Sequence, residues 1–449
     1  MNEDYSSLVD HVLSHARQRG ADDAEVMLSA GRNFSATVRL GEVERLQEAA
    51  SRTLGLRVFK GGRTASRYTS DLTPRGLAQF VDRTLDLVQI ADPDPAAALP
   101  DWEERPADPD LQLFDPAVEA LSAEEKIERA LRAERAALDF DPRITNSAGA
   151  SFSTTTRELV LVNSRGTLGR YKGTVAGCSV QAIADDADGK KRNDYWFSMD
   201  RHLGRLEEPE AVGRTAAERT LRHLGARKVE TKAVPVVFDP QIAMSLMDVV
   251  GDAASGELLF RRASFLVDLE GKPVGLSEVT IVDDPLLPAR VGSRPFDDEG
   301  VASRRNPLLV DGVFQGFLFD TYTARQLGRR STASSSRTVG GPASVGTSNL
   351  VLVPGPHDPE AIVASIEDGF YVTETIGHGV NMTNGTFSRG AGGIWIEKGR
   401  LTYPVTEVNI SGNLREMLAA VSMVGNDLIW RGASAAPTIK IDRMMVSGL

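Results

Sequence analysis

The stretch TLGLRVFKGGRTASRYTS, residues 53–70, admits little besides an antiparallel hairpin. Apolar and polar residues alternate on both sides of Gly61-Gly62, and two adjacent glycines supply the positive φ angles of a tight turn. The residues before it extend the pattern: AEVMLSAGRNFSATVRLGEVERLQEA, residues 24–49, alternates in strand fashion, with turn signals at Ala30-Gly31-Arg32-Asn33 and at Gly41-Glu42. An amphipathic helix over residues 4–19 places Leu8, Val12, Leu13 and Ala16 on one face. A second helix starts at Pro74 behind a Thr73 cap and runs to about Ile90, with Leu77, Phe80, Val81, Leu85 and Val88 inward. Residues 1–95 therefore read as a helix, antiparallel sheet, helix unit.

At 449 residues the chain is too long for one ordinary core, and its 41 glycines imply many turns. The expected class is α+β: an N-terminal α+β domain (1–95), a middle segment of strands and helices (96–225) and a larger β-rich C-terminal domain (226–449). Residues 91–110 are too rich in proline and acid for a core element and read as a linker. Helices are expected over 122–138 and 209–224, and strands over 142–155, 157–163, 166–184 and 190–199. VPVVFD (234–239) reads as a buried strand leading into a helix over 242–254. Beyond it FLVDLEG, SEVTIVDD, GVFQGFLFD and SNLVLVP read as strands, and GGIWIEKGRLTYPVTEVNI as a hairpin turning at Lys398-Gly399. RRSTASSSRTVGGPASVG (329–346) lacks apolar periodicity and is expected to be a mobile loop, either functional or simply solvated.

Several kinds of chemistry are excluded. A net charge of −11 argues against a general nucleic-acid binder, which needs a basic face. The single Cys178 makes no intramolecular disulfide and reads as a small buried hydrophobe. The N-terminus lacks a basic n-region, and no apolar run reaches the ~18 residues of a membrane span, so a cytoplasmic location is expected. No pair of histidines has metal-binding spacing with a third ligand beside it, His11 and His15 on the first helix included. Nucleotide-binding glycine motifs and serine-nucleophile elbows are absent.

Two stretches remain. SLMDVVGDAASG (245–256) sets Met247, Asp248 and Asp252 near a helix end, where histidines and a glutamate would make a zinc site. Positions 247 and 252 diverge by ~140° on a regular helix, so sharing a metal requires a break, which Gly251 offers. The second is GHGVNMTNGTFSRGAGG, where glycines strip side chains from the backbone. It is either a β-edge that receives an extended peptide, with His378, Gly379, Asn381, Ser388, Arg389 and Gly390 as candidate contacts, or a set of tight sheet corners.

FDDEG (296–300), LLVDGVFQGFLFDTYTARQLG (308–328), and the run from IGHGVNMTNGTFSRGAGG to VGNDL between 376 and 428 together resemble the TldD/PmbA family, also called modulators of DNA gyrase, and within it the PmbA (TldE) branch. The resemblance spans nearly the whole chain. It implies a heteromeric metalloprotease in which a TldD-type chain carries H-E-x-x-x-H and a distant cysteine as zinc ligands. On that alignment Met247 and Asp252 stand at the histidines, Asp248 at the glutamate, and Asn426 near the cysteine. The resemblance thus implies a chain without its own metal or catalytic residue, zinc in a TldD-type partner, and extended peptides as substrates. A homodimer in isolation, an active enzyme using Asp248, Asp252 and His378, and a gyrase-modulating binding protein are the alternatives.

Overall fold

Strand pairing organises the first half of the chain into one sheet. In the computed structural model, which describes residues 5–101, 109–166, 168–187 and 189–448, these strands are β1 (Asp23–Arg39), β2 (Glu42–Lys60), β3 (Arg63–Thr69), β4 (Ile144–Asn163), β5 (Leu168–Asp185) and β6 (Lys191–Asp200). They run in the order β3-β2-β1-β4-β5-β6, every neighbouring pair antiparallel. The second hairpin turns where expected, on positive φ at Gly61-Gly62 (59° and 71°), and the first turns one residue earlier than the expected Gly41-Glu42, at Leu40-Gly41 (52° and 82°).

The break expected at Gly31 is absent. β1 continues through it, with Gly31 opposite Ser51 on one side and Arg157 on the other. A Cβ there would lie 2.6 Å from Thr156 O, so this glycine permits close strand approach instead of turning the chain. The gap expected near residue 156 is likewise closed, because β4 pairs with β1 without interruption from Val38↔Ala150 to Glu25↔Asn163. This pairing also joins the 1–95 and 96–225 segments into one sheet.

Two large cores and a smaller one, of Met27, Leu159 and Leu161 with Phe296, lie on that sheet. α1 (Ser6–Gln18) and α2 (Pro74–Ile90) bury Val12, Ala16, Leu77 and Val81 against Leu28, Leu54 and Leu56. α2 begins as its sequence dictates, with Thr73 Oγ1 accepting from Gly76 N at 3.1 Å and Pro74 in the first turn. α3 (Pro116–Ala120), α4 (Ala123–Leu138) and α5 (Pro209–Leu221) cover the other half, burying Ala130, Ala133, Val212 and Ala216 against Phe152 and Val180. Cys178 belongs to this core, and burial pushes its thiol up to about 12. Of the 91–110 linker, residues 102–108 lie outside the described residues; the rest forms no helix or strand. Arg325 donates to Ala98 O at 2.8 Å and so holds the linker against the C-terminal half.

The C-terminal half contains two further six-stranded sheets and a two-stranded ribbon. β7 (Lys232–Phe238) leads into α6 (Pro240–Ala253). The second sheet uses β8 (Ile281–Asp283), β9 (Asn306–Val310) and β10 (Val313–Phe314), and the ribbon pairs β11 (Ser335–Ser336) with β12 (Ser344–Val345). β13 (Leu350–Leu352), β14 (Asp368–Ile376), β15 (Thr386–Glu397) and β16 (Arg400–Asn413) follow, then β17 (Val421–Val424), β18 (Ile429–Arg431), β19 (Ser434–Ala436) and β20 (Ile439–Ser447). The second sheet runs β10-β9-β8-β13-β19-β18 and the third β16-β15-β14-β7-β20-β17. Because β16 also pairs with β20, strands β7, β14, β15, β16 and β20 close into a barrel. The β15–β16 hairpin turns at Lys398-Gly399 as its sequence predicts, with φ of 51° and 72°.

Several expected strands shrink. Residues 265–271 form turns, and GVFQGFLFD contributes only Val313–Phe314 to a ladder. SEVTIVDD and SNLVLVP contribute three residues each, Ile281–Asp283 and Leu350–Leu352. Their apolar residues, among them Phe265, Leu266, Phe317 and Leu318, enter the large C-terminal core from irregular backbone, so a run of buried residues did not distinguish strand from packed turn.

The 329–346 segment is a packed connection, not the free loop expected. Asp297 Oδ2 accepts from Ser335 N at 3.0 Å, Asp298 Oδ2 from Arg337 N at 2.8 Å, and Arg337 reaches across to the buried Glu25 on β1. Arg57 on β2 completes the junction, 3.4 Å from Glu25 and 3.3 Å from Glu299. Polar residues in this loop are therefore anchors between the N-terminal sheet and the C-terminal half. Among the described residues no helix is long and apolar enough to cross a membrane.

Candidate functional site

α6 forms where its sequence places it. Asp239 caps it by accepting from Gln241 N at 2.9 Å, Pro240 opens the first turn, and Ile242, Ala243, Leu246, Val249, Val250 and Ala253 face the core. The helix passes Gly251 without a break and ends at Ala253, so the expected discontinuity is not there. The glycine serves packing: a Cβ at 251 would meet Thr347 Cγ2 at 2.9 Å and Leu350 Cδ2 at 3.0 Å.

With the helix regular, the three aligned positions separate. Met247 is 2% exposed and packs in the core. Asp248 and Asp252, ~100° and ~140° around the helix from Met247, lie on the solvent-accessible side one turn apart, on a polar stripe that also carries Gln241 and Ser245. Asp248 Oδ1 accepts from Ser434 Oγ on β19 at 2.8 Å. Both carboxylates reach solvent, yet surrounding protein desolvates them enough to raise both pKa values, and for Asp252 the charge of Asp248 adds to the rise.

These residues do not fit zinc. Met247 offers a buried thioether, a poor zinc ligand, and points away from the two carboxylates. Asn426 supplies no thiolate; its backbone N–H donates to His357 O at 2.8 Å. Among the described residues no three His, Cys, Asp or Glu side chains converge on a possible metal position, so Asp248, Asp252 and His378 do not form an alternative site.

The glycine-rich segment turns corners. β15 is hydrogen-bonded to β16 from Thr386 to Glu397 and to β14 from Gly390 onward, so that strand is interior to its sheet. Gly377 (φ 88°) and Gly385 (φ 77°) turn the chain back, and the Asn381 side chain accepts from Thr383 N and Asn384 N. Gly379 O accepts from Ser388 N at 2.7 Å, and a Cβ on Gly379 would fall 1.6 Å from Ser388 O, so no side chain fits. Gly390 sits between Ile376 and Asn409 in the sheet. Arg389 lies 5.5 Å from the Phe387 ring, and Ser388 Oγ accepts from Asn409 Nδ2. His378, Asn381 and Ser388 remain exposed as side chains only.

Two sheet edges that sequence reading missed lie elsewhere. β6 ends the first sheet and β18 ends the second, and the two meet beside α6. There Arg431 stacks 3.9 Å over Trp196 and 5.6 Å from Phe197 while pairing with Glu207 at 3.3 Å. Arg290 lies 4.0 Å over Trp430, and Gln241 Nε2 on α6 donates to the exposed Tyr195 hydroxyl at 3.2 Å. The available signal was the aromatic run Tyr195-Trp196-Phe197 on a strand, together with Trp430-Arg431. Its meaning depended on two distant segments meeting.

Comparison with known proteins places this architecture. Residues 24–88, 116–224 and 231–448 match the models of PmbA/TldA metallopeptidase domain 1, central domain and C-terminal domain. The chain is 36% identical over 429 residues to Metalloprotease PmbA of Escherichia coli O157:H7, covering 95% of this chain and 93% of that one. It is 33% identical over 444 residues to a Metalloprotease PmbA homolog of Haemophilus influenzae, covering 98% and 95%. A Bacteroides thetaiotaomicron crystal structure described as a modulator of DNA gyrase superposes with a TM-score of 0.92 at 29% identity over all of both chains. TldE from Thermococcus kodakarensis shares the fold, with a TM-score of 0.89 at 23% identity, covering 98% of this chain and 100% of that one. The chain therefore belongs to the PmbA/TldD metallopeptidase family.

Proposed function

We propose that this chain is the non-catalytic, PmbA/TldE-type subunit of a heteromeric zinc metalloprotease, working in the cytoplasm with a TldD-type partner on small unfolded peptides or peptide precursors. The observation that carries the reading is the separation of the three aligned positions on α6: a buried thioether on one side, two carboxylates without a third ligand on the other. Catalytic zinc needs about three such donors and an open position for water. The polar stripe of α6 and the aromatic–arginine wall of β6 and β18 would line this subunit's share of the peptide chamber, with zinc held by the partner. An unpaired strand edge beside aromatic rings suits an extended peptide, which bonds through its main chain and places alternate side chains in pockets. A direct DNA-binding role is disfavoured by the net charge of −11.

The test is reconstitution with a TldD-type chain. Peptide cleavage is expected only when both chains are present, to survive Asp248→Ala here, and to be lost when the partner's zinc-binding histidines are replaced. Cleavage by this chain alone, or one zinc per purified chain abolished by Asp252→Ala, would overturn the reading.

A further inference from the structure

Away from α6, a recess of about 330 Å³ opens between the N-terminal sheet and the loop that precedes the buried Asp297 and Glu299. Arg157 of β4, Tyr171 of β5, Arg201 just after β6, and Arg294 and Asp298 from the C-terminal half are among its walls. Three guanidinium groups thus face one carboxylate in a chain whose overall balance is strongly acidic.

The arginines differ in how fully they are used. Arg201 is committed to main-chain carbonyls, donating to Arg290 O at 2.6 Å, Val291 O at 2.7 Å and Ser293 O at 3.0 Å. It braces the loop and adds positive charge that no carboxylate bonds. Gly173 makes room for it, since a Cβ there would lie 2.6 Å from Arg201 Nη1. Arg157 donates to Ser29 Oγ at 2.9 Å and otherwise remains exposed.

Arg294 is different. Its Nε is buried with no acceptor, and its Nη1 lies 3.8 Å from Asp298 Oδ1, beyond hydrogen-bond reach. The other Asp298 oxygen already accepts from Arg337 N at 2.8 Å. Beside it, the Tyr171 ring is held edge-on by Phe296 at 5.4 Å and lines the same recess. A donor left without an acceptor in a desolvated site costs free energy that an incoming oxyanion recovers. A guanidinium fork beside a phenol O–H matches the spacing of oxygens on a carboxylate or phosphate. The volume is at the lower end of small-molecule sites.

We propose that this recess binds a small ligand bearing a carboxylate or phosphate, whose oxyanion is received by Arg294 and the Tyr171 hydroxyl within the positive field of Arg157 and Arg201. The proposal is independent of the peptidase reading, because no residue of the recess lies on α6, β6 or β18.

Calorimetric titration of the purified full chain with succinate and with inorganic phosphate, each against sodium chloride at matched ionic strength, tests it. One equivalent of at least one anion is expected to bind saturably, and the stronger of the two identifies the oxyanion. Arg294→Gln is expected to weaken binding at least tenfold, and Tyr171→Phe several-fold. If Arg294→Gln does not fold, Tyr171→Phe decides. Absence of binding above the chloride control, or unchanged affinity in the deciding variant, would overturn the proposal.

Discussion

The Ser434 hydroxyl donates to Asp248 Oδ1 at 2.8 Å, tying the exposed stripe of α6 to β19. A carboxylate that a catalytic site would require as a free base is thus engaged in holding a helix against a strand. Asp248 has a structural partner on a neighbouring strand. Its loss should therefore be felt in stability before it is felt in turnover. In the reconstituted complex Asp248→Ala is expected to leave kcat/KM within about threefold, while lowering the unfolding free energy of this chain by roughly 1 kcal/mol, the worth of one hydrogen bond. Steady-state peptide cleavage and urea titration of the same preparations check both.

Met247 gives the complementary prediction. At 2% exposure within the C-terminal core, Met247→Ala is expected to cost roughly 2–5 kcal/mol, read by chemical denaturation. Met247→His is expected to destabilise as well and to bind no zinc, because a histidine there points into the core, away from Asp248 and Asp252. Metal analysis after exposure to zinc and desalting tests this, and a stoichiometric metal in that variant would contradict the geometry.

The junction between the halves rests on buried charge. Glu25 is nearly inaccessible and faces both Arg57 and Arg337. Removing one partner of such a cluster leaves charge uncompensated, so Arg337→Ala is expected to lower stability by roughly 3 kcal/mol. The double variant Arg337→Met with Glu25→Gln is expected to recover part of that loss. Limited proteolysis should cut the 329–346 segment faster in the single variant than in the native chain.

Asp283 predicts a pH dependence. Burial pushes its carboxyl up to about 6, although Ser348 donates to it through both N–H and Oγ. A raised folded pKa means that its stabilising contribution is complete below the unfolded value near 4 and is lost as pH rises through about 6. Asp283→Asn is expected to remove this step, so its stability relative to the native chain should improve between pH 4.5 and 7.5. Denaturant midpoints at the two pH values measure it, and parallel changes in both proteins would contradict it.

Cys178 should be chemically silent. Its thiol is buried and pushed up to about 12, leaving almost no thiolate at neutral pH. A thiol-specific reagent is expected to label it only after unfolding, at a rate set by denaturant.

The sequence by itself determined the locally encoded features. Gly61-Gly62, Thr73-Pro74 and Lys398-Gly399 each specify a turn or cap within a few residues, and each appears where its chemistry requires. That 247 and 252 carry no histidine and 248 no glutamate was equally legible once the family resemblance aligned them with H-E-x-x-x-H, since residue type needs no tertiary structure. Tertiary structure alone decided the rest. Gly31 and Gly251 looked like breaks but are points of close approach, because a missing side chain looks identical in sequence whether the backbone turns there or a neighbour presses against it. The glycine-rich 376–393 segment reads either as a receiving edge or as tight corners, and only the pairing of β15 with β14 and β16 shows that strand to be interior, while β6 and β18, two sheet edges that meet beside α6, lie more than 200 residues apart in the chain. Which backbone groups stay free depends on which distant strands pair, and local sequence carries almost no information about that.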